Sequence, residues 1–142
     1  MYKQILVPVD GSENSNAALK EAVNIAKLTG GKITVINVYS RWSSALIDET
    51  TREGLNKEIK KAARTILNDA KKKAEEENFV VKTLLVEGNA VQEIVKIADS
   101  RHHDLIVMGA RGVSKLIEIF LGSVSRGVLE KAACPVLIVK LN

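Results

Sequence analysis

Gly109, Gly112 and Gly122, with a hydroxyl following at Ser123, form a spacing that asks for a chemical explanation. They lie in "MGARGVSKLIEIFLGSVSRG", residues Met108–Gly127, within a chain otherwise rich in helix and strand formers. A glycine after a buried strand lets backbone N–H groups approach a ligand closely. The start of a following helix adds unpaired N–H groups at a positive dipole end. Together these make a cradle for phosphate, with Gly109 and Gly112 at the strand exit and Gly122, Ser123 and Ser125 at the helix start. The nine residues between Gly112 and Gly122 must then loop out and return. Leu116, Ile117, Ile119 and Phe120 would anchor that excursion on apolar surface, while Arg111, Ser114 and Lys115 add donors or positive charge. One glycine pair alone is ordinary turn punctuation; the conjunction points to a ligand. Neither G-x-x-x-x-G-K-[ST] nor G-x-G-x-x-G is present, which excludes the two common nucleotide loops.

The elements around this stretch must position it. "KQILVPVD" reads as a buried strand running into an Asp-Gly turn, and Ser12 can cap the helix whose Ala18, Ala22, Ile25 and Ala26 recur at helical spacing. Gly30-Gly31 ends that helix, and "KITVINVY" is a second strand. Residues Ser40 to Glu49 are expected as a loop, and "TTRE" from Thr50 resembles a capping box opening a long charged helix to about Asn78. Its "KKKAEEEN" end reads as a solvated face. "VVKTLLVEG" is strand three, Asn89 with Gln92 caps a helix whose Val91, Ile94, Val95 and Ala98 share one face, and "HDLIVMG" is strand four. Ser123 opens a last helix to about Ala133, and "PVLIVKL" is strand five. Five strands in strict β-α order, three of them continuous apolar runs, predict a doubly wound five-stranded parallel α/β sheet in a single domain over residues 1–142. Such sheets bind ligands beyond the carboxyl ends of their strands where strand order reverses. The exits "PVDGS" and "MGARG" are therefore the places to look.

Composition narrows the function. Hydrophobic residues are 46% and charged residues 27%, and no apolar run approaches the roughly 20 residues of a membrane span. The N-terminus reads as a first strand rather than a signal peptide, which predicts a cytoplasmic protein. A net charge of +4 suits an anionic ligand, and with aromatics at 4% no stacking surface for RNA is expected. The single Cys134 is expected buried and inert. His102 and His103 are expected near a helix C-terminus, interacting with its dipole, and no third ligand at metal spacing accompanies them. Trp42 is expected as a loop anchor or an interface residue. The last strand is apolar enough to be an aggregation hazard at a sheet edge, so a homodimer paired through it is expected.

The pattern Gly109-x-x-Gly112, nine residues, then Gly122-Ser123 resembles the ATP-binding signature of the universal stress protein family. The segments "ILVPVDGSENS", "DLIVMGARG" and "ACPVLIVK" are similar to the corresponding family segments in the same order. The resemblance implies a Rossmann-like sheet of the adenine nucleotide α-hydrolase type holding ATP with Mg²⁺. By position it puts Pro8, Val9, Asp10 and Ser12 at the nucleoside, with Asp10 on a ribose hydroxyl or near a phosphate-bound divalent ion. It puts Val38 against the adenine, reading the base edge with its backbone. Met108, Gly109, Arg111 and Gly112 would border ribose and phosphates, and Gly122, Ser123, Val124 and Ser125 would wrap the β and γ groups. For Asp10 a plain helix-capping role stays open. The implied function is an ATP-binding stress-response regulator acting through a protein partner or its own assembly. The rivals are a slow ATP-hydrolysing enzyme and a nucleic-acid binder. Against the first, Glu118 is the only carboxylate in the glycine stretch and sits between Ile117 and Ile119, a poor setting for a general base.

Overall fold

The computed structural model describes residues 1–111 and 121–141. In chain order the elements are β1 (Gln4–Pro8), α1 (Glu13–Thr29), β2 (Lys32–Tyr39), α2 (Glu49–Glu76), β3 (Lys82–Glu87), α3 (Ala90–Ser100), β4 (Leu105–Gly109), α4 (Ser123–Lys131) and β5 (Val136–Val139). All strand pairs are parallel, in the order β3-β2-β1-β4-β5. The sheet is the doubly wound α/β arrangement that the β-α alternation predicts.

Side chains alternate across a strand, so a strand covered on both faces must be apolar throughout. Ile5 and Val7 pack with Val35 and Val107 against Ala18, Leu19, Val23 and Leu67 of α1 and α2. Their neighbours Leu6, Ile36, Ile106 and Met108 pack on the other face with Ile94 and Val128 of α3 and α4. Burying each such large aliphatic side chain contributes on the order of 1.5–3 kcal/mol. Asp104 sets the start of the central pair: its carboxylate accepts from the N–H groups of Lys3 (2.9 Å) and Gln4 (3.1 Å).

Three helices are capped by side chains. Ser12 accepts from Ser15 N–H and Asn89 from Gln92 N–H, as expected. On α2 the cap is Asp48, not Thr50: its Oδ1 accepts from Thr51 N–H (2.8 Å) and its Oδ2 from Thr51 Oγ1 (3.0 Å). A carboxylate reaching both groups outcompetes the hydroxyl two residues later, and α2 begins earlier than the capping box suggested. The "KKKAEEE" face is solvated apart from buried Ala74, as expected. The last helix ends at Lys131, short of Ala133, because Ala132 is already extended.

Two expectations need correction. His103 is buried in the core, and burial holds its imidazole below the ordinary value, so the neutral form is favoured over the charged form a helix dipole would select. His102 is exposed, in a left-handed conformation (φ 56°). Cys134 is half-buried rather than fully enclosed, and burial pushes its thiol up, away from thiolate chemistry. Trp42 anchors its loop through its backbone, with Asn56 Oδ1 accepting from its N–H (2.7 Å), while half of the residue stays exposed.

Candidate functional site

β1 lies between β2 and β4, and the chain leaves β1 toward one face of the sheet and β4 toward the other. The carboxyl ends of the two strands therefore splay, and a cavity of about 590 Å³ opens there. Its wall comes from the β1 exit (Pro8, Val9, Asp10), β2 (Ile36, Asn37, Val38), α1 (Ser15), the start of α3 (Ala90, Ile94), the β4 exit (Met108, Gly109, Arg111) and the start of α4 (Leu121 to Ser125). Of the residues expected at a site, Pro8, Val9, Asp10, Val38, Met108, Gly109, Arg111, Gly122, Ser123, Val124 and Ser125 are brought together on this wall. Ser12 is not on it: its hydroxyl accepts from Ser15 N–H at 3.1 Å and is committed to capping α1. Gly112, Glu118 and the apolar residues Leu116, Ile117, Ile119 and Phe120 lie outside the described residues.

The β1 exit is closed by its own hydrogen bonds. Asp10 Oδ1 accepts from Ser12 N–H (2.9 Å), and Ser15 Oγ donates to Ser12 C=O (3.0 Å). Asp10 thus supports the turn into α1 and still presents its side chain at the wall. Asn37, a polar residue inside β2, is buried and donates from Nδ2 to Val9 C=O at 2.7 Å. It holds the β1 exit against β2 beyond the end of the regular ladder. Sequence reasoning missed Asn37 and Ser15; the one signal for Asn37 was an amide interrupting the apolar run "KITVINVY". The Val9 N–H donates to Ile36 C=O (2.9 Å), so the Ile36 peptide edge faces β1. Two residues on, Val38 turns the same edge, one N–H and one C=O, toward the space where β1 has left the sheet.

The β4 exit is built differently. Gly122 caps α4 without any side-chain hydrogen bond, the exception among the four helices. Its own N–H donates to Ala110 C=O (2.7 Å), and the first intrahelical donor is Arg126, to Gly122 C=O (3.0 Å). The N–H groups of Ser123, Val124 and Ser125 are left without partners among the described residues, at the cavity wall. Arg111 lines the same cavity, and its Nη1 is buried with no hydrogen-bond partner among the described residues. The Ser125 side chain does not join these donors. Its Oγ turns inward to Ala110 C=O (2.7 Å) and Gly122 C=O (3.1 Å), so what Ser125 offers the cavity is its backbone N–H. Gly109 also has a second reason to lack a side chain: a Cβ there would stand 2.7 Å from the backbone carbonyl carbon of Asn14 in α1.

Chemically, the wall pairs an apolar end at Val38, Ala90 and Ile94 with a donor-rich end at Arg111 and α4. An amphiphilic anion fits this: a flat apolar body with a phosphate tail. Among the described residues no three His, Cys, Asp or Glu side chains come together in a way that could hold a metal ion unaided. No helix of the described residues is long and apolar enough to cross a membrane.

Comparisons with known proteins agree with this fold. Residues 1–140 match the model of the universal stress protein family. The chain is 39% identical over 141 residues to universal stress protein MJ0531 of Methanocaldococcus jannaschii, covering 99% of this chain and 83% of that protein. The solved structure of MJ0577, from the same organism, superposes with a TM-score of 0.87 at 35% identity, covering 100% of this chain and 98% of the other. Two further structures are nucleotide complexes: a universal stress protein with cAMP (TM-score 0.73, 26% identity, 97% of each chain) and one from Archaeoglobus fulgidus with dAMP (0.71, 26%, 98% of each).

Proposed function

Because this chain belongs to the universal stress protein family, we propose that its cavity holds ATP with Mg²⁺ and that occupancy, rather than turnover, is what the protein signals. The observation that carries this reading is the buried Nη1 of Arg111, without a partner among the described residues, beside the start of α4, which has no side-chain cap. A buried donor without an acceptor is destabilising by about 1–3 kcal/mol, more when charged, and an anion between Arg111 and the α4 amides relieves it. The phosphates therefore belong at that end. The base belongs at the other, where Val38 offers one donor and one acceptor, a pair complementary to the edge of adenine, with Val9, Ala90 and Ile94 around it. Structures of relatives with cAMP and dAMP support an adenine nucleotide. A volume of about 590 Å³ lies within the ordinary range of small-molecule sites.

Asp10 stands between the two ends. One carboxylate oxygen is engaged by Ser12 N–H, and the other is available to a ribose hydroxyl or to a cation. Asp10 is the acidic side chain among the described residues of the wall, and it would be the carboxylate to meet Mg²⁺ carried on the phosphate oxygens. When bound it screens phosphate charge. Among the described residues of the wall Asp10 is the only carboxylate, and it is tied to the turn by Ser12 N–H, which supports a binding switch over an ATPase. The switch would act in the cytoplasm, through a protein partner or through a homodimer paired along β5, whose Leu137 is exposed, as is Leu141 beyond its end.

The test is to denature the purified protein, identify any released nucleotide by mass, and titrate the stripped protein calorimetrically with ATP and AMP, with and without Mg²⁺. ATP is expected to bind more tightly than AMP, and more tightly with Mg²⁺. Absence of any nucleotide, free or titrated, would overturn the reading.

A further inference from the structure

The carbonyl of Ala110 is a junction. It accepts from Gly122 N–H at 2.7 Å and from Ser125 Oγ at 2.7 Å, while the Ala110 N–H donates to Val139 C=O of β5 at 2.9 Å. The sheet therefore holds Ala110, and Ala110 holds the first turn of α4 at two points three residues apart. Ser125 is buried, with 3% of its surface exposed, so its hydroxyl has no water to fall back on. A hydroxyl carries one proton, and the carbonyl at 2.7 Å takes it more directly than Gly122 C=O at 3.1 Å. Arg111 follows Ala110 directly in the chain. One carbonyl thus ties the backbone beside Arg111 to the turn that carries the free α4 amides.

We propose that Ser125 is a positioning residue for the phosphate end of the site: its hydroxyl, by fastening α4 to Ala110, sets the Ser123, Val124 and Ser125 amides in register with Arg111 so that one anion meets both. This deepens the nucleotide reading and rests on it. Loss of the fastening leaves Gly122 N–H as the sole tie, and the first turn of a helix without a side-chain cap is free to fray. Donors that must be ordered on binding bind less tightly than donors already in place.

The inference predicts a phosphate-selective defect. Ser125→Ala should weaken ATP binding about tenfold, the scale of one buried hydrogen bond, while adenosine, which has no phosphate, binds within twofold of the parent. Ser125→Thr, which keeps the hydroxyl, should restore ATP affinity to within about threefold. Amide hydrogen exchange at Ser123 to Arg126 should quicken in Ser125→Ala and not in Ser125→Thr. Equal weakening of ATP and adenosine would reduce Ser125 to a general packing role and overturn the proposal, as would parent-like ATP binding by Ser125→Ala. Should the alanine variant not fold, Ser125→Cys, of similar size with a weaker donor, must show the same ATP-selective loss, and an equal loss again overturns it. If the parent itself binds no ATP, the nucleotide reading has failed, and the fastening is then judged by exchange alone: unchanged exchange in Ser125→Ala overturns it.

Discussion

At the β1 exit, Asp10 accepts from Ser12, Ser12 from Ser15, and Asn37 reaches across from β2 to take the Val9 carbonyl. At the β4 exit, a glycine stands where the other helices have a capping side chain, and among the described residues three amides and a buried arginine nitrogen find no partner. Both exits face one cavity. The first is held by side-chain hydrogen bonds within the chain, with one Asp10 carboxylate oxygen left over. The second has donors without partners among the described residues, and on the proposed reading an arriving phosphate satisfies them. A site of this kind divides its labour: the completed exit supplies shape, and the incomplete one supplies affinity.

The largest effect should come from closing the incomplete exit. Gly122 has φ −65° and ψ 165°, a conformation open to any residue, so Gly122→Val should fold while its branched side chain occupies the space before the α4 amides. Nucleotide binding is expected to fall by at least about a hundredfold, equivalent to about 2.7 kcal/mol, with an unchanged circular dichroism spectrum. Calorimetry on the variant checks it; parent-like affinity would place the ligand elsewhere.

Gly109→Ala comes next and acts through packing. The new methyl meets the Asn14 backbone at 2.7 Å, which no rotamer can relieve, so α1 must move away from β4. Overpacking of this kind costs about 1–3 kcal/mol, expected as a lower denaturation midpoint and as weaker nucleotide binding, because α1 carries Ser15 on the wall. Stability unchanged by this substitution would show that the α1–β4 approach is looser than it looks.

Ser12→Ala sharpens the contrast from the other side. Loss of this cap should destabilise the fold by about 1 kcal/mol and leave nucleotide affinity within about twofold, since Ser12 is off the wall. An affinity loss larger than the stability loss would mean that the completed exit also supplies affinity.

The smallest effect lies far from both exits and serves as their control. His103 in the folded chain has its pKa lowered by burial, from an ordinary value of 6.5. The unfolded chain therefore binds the proton more readily, and stability, complete above about 6.5, declines as pH falls through that value toward the folded one. His103→Gln should flatten the pH dependence of the denaturation midpoint between pH 7.5 and 5.5, without altering nucleotide affinity at neutral pH. A pH dependence that persists unchanged in His103→Gln would put the responsible group elsewhere.

Much of this was legible in the chain itself. Continuous runs such as "ILV" and "LIVM" must be buried on both faces, and that alone implies a parallel sheet with helices on each side. Ser12 and Asn89 announced their helices because capping is a local transaction between residues three apart. What stayed hidden depended on distance or on choice. Nothing local says that Asn37 reaches Val9, 28 residues away. Asp48 and Thr50 are both good caps, and only the folded loop decides between them. Ser125 was assigned to the phosphate end, but nothing local shows that its hydroxyl bonds Ala110, 15 residues away, a contact that appears only once β4 and α4 are side by side.

The Asp104 carboxylate, bonded to the amides of Lys3 and Gln4, joins positions about a hundred residues apart. During synthesis the first strand emerges at the centre of a sheet whose other central strand does not yet exist. β2 can pair with it early, but its β4 side stays open until nearly three quarters of the chain has been made. Long-range parallel pairing of this kind is slow, because the loop must close before the contact rewards it. The cavity, divided between residues 8–38 and 90–125, is thus assembled last. On the proposed reading a nascent chain could not bind nucleotide before β4 and α4 are made, and nucleotide present at that moment would select the finished sheet over any chain still waiting for its fourth strand.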